Sequence, residues 1–75
     1  MNAIVDPNFI CKKIKKKRRA AGYSQEKMAM ELGITQATVS KYENGRVPDA
    51  ATYESWLQVC ERSIQAVQEG RALYV

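Results

Sequence analysis

Seventy-five residues make one small domain and leave no room for a second, and a chain this short hides only about 60% of its unfolded surface, so its core is thin. Hydrophobic residues make up 45% of it and charged ones 27%, a balance that folds, with twelve Lys plus Arg against eight Asp plus Glu for a net charge of +4. Histidine, the usual general base and commonest metal ligand, is absent, and two cysteines are too few for a structural zinc site, so neither an enzyme nor a metal- or cofactor-dependent protein is expected.

Met1 to Pro7 has no basic segment followed by an apolar run, so no signal peptide is expected. The longest apolar runs, 3–5 and 72–75, fall far short of the ~20 residues of a membrane span, so no membrane partner is expected. The expected location is cytoplasmic. Thiols stay reduced there, and Cys11 and Cys60 sit at apolar-periodic positions, so both are expected as buried thiols.

Asp6-Pro7 marks the first helix start, because Asp caps orphan amides and Pro is preorganised for the first helical position. Phe9, Ile10, Ile14, Arg18 and Ala21 then recur at spacings near three and four, and Gly22 closes the segment, giving a helix over 7–21. Ser24 caps a second helix, with Glu26 in its first turn and Met28, Ala29 and Leu32 as its apolar stripe, ended by Gly33. Thr35 caps a third over 36–43, with Val39 and Tyr42 inward and Gln36, Ala37, Ser40 and Lys41 outward. After the stop at Asn44-Gly45, Pro48-Asp49 announces a last helical region from Ala50 to Glu69, one long helix or two with Ser63 capping the second. Tyr53, Trp56, Leu57, Cys60, Ile64 and Val67 keep its period, which makes Trp56 a core residue rather than a base-stacking one. Gly70 stops it, and Ala72 to Val75 form an apolar tail. The fold class is therefore all-α, a small bundle of four to five helices.

Charge divides the chain unevenly. Up to Arg46, ten basic residues against four acidic ones leave +6, whereas beyond it Arg62 and Arg71 against Asp49, Glu54, Glu61 and Glu69 leave −2. The first half suits an anionic partner and the second a different one, such as another protein.

Two short helices joined by a Gly-containing turn have the form of a helix-turn-helix, whose second helix enters the DNA major groove. Close crossing needs a small residue where the helices meet, a turn residue that accepts positive φ, and apolar plugs on either side; Ala29, Gly33 and the set Met28, Leu32, Ile34, Val39 and Tyr42 supply these in register. The strings Ser24-Gln25-Glu26, Met28-Ala29, Leu32 to Gln36 and Val39 to Gly45 resemble the Cro and phage-repressor (XRE) helix-turn-helix family. That resemblance implies a five-helix DNA-binding domain, usually dimeric and mostly repressing phage, plasmid, toxin-antitoxin or restriction-modification operons. It further implies that Gln25 binds phosphate, that Gln36, Ala37 and Lys41 contact bases, that Asn44 and Arg46 contact the DNA backbone, and that Arg18 and Glu43 form a buried pair. The loop between Gly45 and Pro48 holds two residues where the family commonly has three, and helix 1 is more basic than is usual in it.

Side-chain chemistry points the same way for the third helix. Gln makes bidentate bonds to adenine, Lys donates to guanine and the Ala methyl touches the thymine methyl, which suits Gln36, Lys41 and Ala37, with Ser40 and Thr38 as secondary readers. Gln25 and the free amides opening the second helix suit a phosphate. In the basic run of helix 1, Lys12, Lys16 and Arg19 are assigned to phosphates and about half of the charges to solvent.

The expectation is one domain over 1–75, with a helix-turn-helix core at 24–44 and a C-terminal part at 49–75 for dimerisation. Such a chain is a regulator of transcription, a repressor binding an inverted-repeat operator in double-stranded DNA as a homodimer, since one recognition helix reads only a few base pairs. The competing reading is an antitoxin-type interaction module, which neutralises a co-encoded toxin through its acidic half and autoregulates its operon.

Overall fold

The computed structural model describes residues 7–68, with side chains over 8–64. Four helices follow in order: α1 (Pro7–Ala20), α2 (Gln25–Leu32), α3 (Gln36–Glu43) and α4 (Ala50–Gln68). No strand occurs among the described residues, and the architecture is the expected all-α bundle. The proposed Asp6 cap, the Gly70 stop and the tail 72–75 lie outside the described residues.

Local chemistry sets the helix ends. At the end of α1, Gly22 adopts φ 79°, and the Tyr23 and Gly22 amides donate back to the Arg18 and Arg19 carbonyls at 3.1 and 3.0 Å, the paired bonds of a Schellman motif. Gly33 does the same for α2 at φ 71°, with the Ile34 and Gly33 amides on the Ala29 and Met30 carbonyls. Ser24 Oγ accepts from the Lys27 amide at 3.0 Å to start α2, and Thr35 Oγ1 accepts from the Thr38 amide at 3.1 Å to start α3. Both are N-cap bonds to orphan donors.

The 50–69 region is one helix. Ser63 does not cap a second: its hydroxyl donates to the Ala21 carbonyl at 3.1 Å, fastening α4 to the end of α1. With no Gly or Pro from Ala50 to Gln68, the chain has no reason to break there.

The core gathers Ile14, Ala21, Met28, Ala29, Val39, Trp56, Val59 and Cys60 from all four helices. Trp56 is fully buried and its indole N–H donates to the Ile14 carbonyl at 3.0 Å, so the largest side chain is satisfied as well as packed. Tyr42 meets it edge-on at 6.4 Å between ring centres. Cys11 and Cys60 are buried free thiols, and burial pushes the Cys60 thiol up to about 11, which keeps it protonated and unreactive. Phe9 departs from the expected apolar face, at 59% exposed. Five residues before Ile14 it falls about 140° around the helix, while Ile10 and Cys11, four and three residues before, take the inward positions.

Candidate nucleic-acid interface

A buried charge network fixes α3 from behind. Arg18 on α1 donates from Nε to Glu43 Oε2 at 2.6 Å and from Nη2 to Glu43 Oε1 at 3.1 Å, a two-pronged pair at the last residue of α3. Its Nη1 donates to the Tyr23 carbonyl at 2.6 Å. Gln25, the first residue of α2, donates from Nε2 to Glu43 Oε1 at 3.1 Å. Arg18 and Glu43 are both buried, and no buried side-chain polar atom among the described residues lacks a partner. A charge pair removed from water needs such complete satisfaction to persist. One carboxylate thereby joins the end of α1, the start of α2 and the end of α3.

The opposite side of α3 is open. Val39 is fully buried and Glu43 nearly so, whereas Gln36, Ala37 and Lys41 are exposed. At 3.6 residues per turn, Ala37 and Lys41 fall about 160° from Val39. Thr38 and Ser40, half-buried on the flanks, are engaged locally: the Thr38 hydroxyl shares a hydrogen bond with that of Thr35 at 2.8 Å, and Ser40 accepts from Asn44 Nδ2 at its carbonyl, 2.7 Å, and its Oγ, 3.2 Å. Asn44 and Arg46 are exposed just beyond α3, and the Lys41 carbonyl receives both of their amides, at 3.1 and 3.0 Å, curling the loop against the helix end.

Gln25 sits where the chain enters α2, next to the amides of that helix start. One of its amide hydrogens is spent on Glu43 and the other remains. Sequence reasoning assigned Gln25 to a ligand without seeing that it also belongs to the buried network. The signal is absent from local sequence, because the two residues are 18 apart and meet only through the fold.

The basic run of α1 is divided among three directions. Arg18 points inward to Glu43. Lys13 lies over the Tyr53 ring at 5.9 Å and Lys17 pairs with Glu61 at 2.8 Å, so these two face α4; the Glu61 carboxylate bond raises the Lys17 pKa. Lys12, Lys16 and Arg19 are exposed and lie about 140–160° around α1 from Ile14, the side turned away from the core. The structure therefore brings Gln36, Ala37, Lys41, Asn44 and Arg46 onto α3 and its exit loop, with Gln25 beside the charge network behind it, and places Lys12, Lys16 and Arg19 on the solvent side of α1. Among the described residues there is no group of three or more acidic or thiol side chains that could hold a metal ion. No helix among them is long and apolar enough to cross a membrane.

A helix-turn-helix family model matches residues 14–67, from the middle of α1 through nearly all of α4. Antitoxin HipB of Escherichia coli (strain K12) is 31% identical over 58 residues, 77% of this chain and 64% of that protein, so the matched part spans less than two thirds of the relative's length. No solved structure matches the chain significantly.

Proposed function

The chain belongs to the XRE-type helix-turn-helix family of DNA-binding transcription regulators, and from that premise we propose that it is a sequence-specific repressor acting in the cytoplasm, bound as a homodimer to an inverted repeat. The observation that carries this reading is the contrast across α3, where a satisfied charge network faces inward, Ala37 and Lys41 face outward, and Gln36 is exposed at the helix start. In it, Gln36 bonds an adenine edge, Lys41 donates to guanine, Ala37 packs on a thymine methyl, and Ser40 and Thr38 flank them. Gln25 with the α2 amides, and Asn44 with Arg46, hold phosphates on either side and set the register. Selection of bound duplexes from a random pool by the full chain tests it. Enrichment of an inverted repeat with half-sites about one helical turn apart is the expected result; a pool that stays random overturns it.

A second reading is favoured by the similarity to a protein named an antitoxin. In that reading the chain neutralises a co-encoded toxin through its acidic half and represses its own operon. A tight one-to-one complex with a neighbouring gene product, unaffected by loss of Gln36 and Lys41, is its mark.

A further inference from the structure

α1 carries a second basic surface, and its Lys12, Lys16 and Arg19, which the sequence reading assigns to phosphates, are here given a different partner. Arg18 reaches α3 through Glu43, while Lys13 and Lys17 reach α4, so two sides of the helix are occupied. Phe9, Lys12, Lys16 and Arg19 occupy the remaining side, all exposed. From Phe9 to Arg19 the stripe runs about 15 Å along the helix at 1.5 Å per residue. None of the three cations has an ion-pair partner among the described residues. A shallow trough of about 330 Å³ lies at its N-terminal end, lined by Phe9, Lys12, Lys13 and Lys16, an apolar floor rimmed with ammonium groups. A second hollow continues it along Lys12, Lys15, Lys16 and Arg19.

We propose that this face of α1 is a docking surface for an acidic, amphipathic segment of a partner protein, which places an apolar side chain against Phe9 and carboxylates against Lys12, Lys16 and Arg19. Charge complementarity calls for an anion, and Phe9 decides which kind. A duplex backbone offers phosphates and only the narrow C–H edges of its sugars, so an aromatic ring in its path would gain little, whereas a protein segment supplies both an apolar anchor and a charged rim. The face lies on α1 and the exposed Ala37 and Lys41 on α3, so the partner is held while α3 lies on DNA. Its chemistry is opposite to that expected of a partner for the acidic C-terminal half, and the two make separate contacts.

The test uses the full chain with three probes: a labelled helical peptide bearing Glu at four-residue intervals and one Leu, a 20-base-pair random duplex, and a twelve-nucleotide oligothymidine strand. The triple variant Lys12→Gln, Lys16→Gln, Arg19→Gln should weaken the peptide about tenfold, the sum of three modest rim contacts. Phe9→Ala should weaken it about tenfold again through lost apolar burial. Duplex affinity should change by less than about threefold, with an unaltered salt slope, and peptide and duplex should bind together. All four substitutions are on exposed positions, and unchanged melting curves will show that the fold survives them. If the triple variant lowers the duplex salt slope by about 3, the face binds phosphates and the proposal is overturned. Oligothymidine that binds more tightly than the peptide and depends on Phe9 overturns it in favour of single strands. So does a peptide indifferent to both variants, or a self-association that the triple variant abolishes. None of these outcomes touches α3, so the DNA reading stands or falls separately.

Discussion

The two sides of α3 follow opposite rules. On the inner side every polar group is matched: Glu43 accepts from both Arg18 and Gln25, and Val39 is fully buried beside them. Lys41 on the outer side and Gln36 at the helix start are exposed, and their side chains make no hydrogen bond or ion pair with another described residue. The inner side holds the helix at a fixed angle and register, and the outer side keeps its donors and acceptors for a ligand. A reading helix needs both, because a base contact is specific only if the side chain making it is held in place by something else. The helical period sets Ala37 and Lys41 opposite Val39, whereas Gln36, three residues before Val39 and seven before Glu43, is open to solvent because it begins the helix.

The sharpest way to break the inner side is Glu43→Ala. It strands the Arg18 guanidinium in the core and leaves the Gln25 amide without its acceptor, so the expected loss is about 3 kcal/mol, or more than about 10 °C in melting temperature. Replacing Arg18 and Glu43 together by apolar residues of similar volume should cost less than either single change. A thermal melt of Glu43→Ala indistinguishable from the parent would show that the pair does not hold the helices. At the exposed start of the helix, Gln36→Ala should leave the melt unchanged. It should weaken a selected duplex by about 1 to 3 kcal/mol and a scrambled one hardly at all, since only a base contact disappears. Equal losses on both duplexes, measured at several salt concentrations, would place Gln36 against phosphate and take α3 out of the major groove.

Much of this contrast was legible from the residues. Ser24, Thr35, Gly22 and Gly33 punctuate the helices where the structure has its caps, because capping is chemistry between residues two or three apart. Arg18 stood out by its spacing, a cation in step with Ile14 and Ala21. Long-range partners were not legible. Trp56 bonding to the Ile14 carbonyl, Ser63 to the Ala21 carbonyl and Gln25 to Glu43 join residues far apart in sequence, and no local pattern encodes which carbonyl or carboxylate a donor will meet. The same limit misplaced Phe9, since an apolar residue near a helix start fits either face until its neighbours are seen to fill the inner one.

The turn between the two short helices sharpens the comparison at smaller cost. Gly33 has φ 71° and open space where a Cβ would go, so a side chain there meets a backbone penalty and no clash. Gly33→Ala should lower stability by about 1 kcal/mol, with Gly33→Asn milder because Asn tolerates the left-handed region. Denaturant melts of the two variants check this: a loss for Gly33→Asn as large as that for Gly33→Ala would mean that the left-handed dihedral is not what limits the position.

The smallest effect belongs to the start of α4, which follows the exit loop of α3. The Asp49 carboxylate takes a hydrogen bond from the Thr52 side chain, helped by the Thr52 amide, and both hold its pKa below the usual 3.8. A carboxylate whose folded pKa is depressed contributes stability that is fully present above its unfolded value and is lost as pH falls through the folded one. The cap should therefore be intact at neutral pH and fade below about pH 4. Asp49→Asn keeps an acceptor for the Thr52 amide but cannot titrate. Melting temperatures of parent and variant, measured from pH 6 down to pH 2.5, should start with the parent slightly higher and converge as the acid limit is approached. A constant gap across that range would mean that the Asp49 charge contributes nothing to the fold and that the start of α4 is held by backbone bonds such as that from the Tyr53 amide to the Asp49 carbonyl.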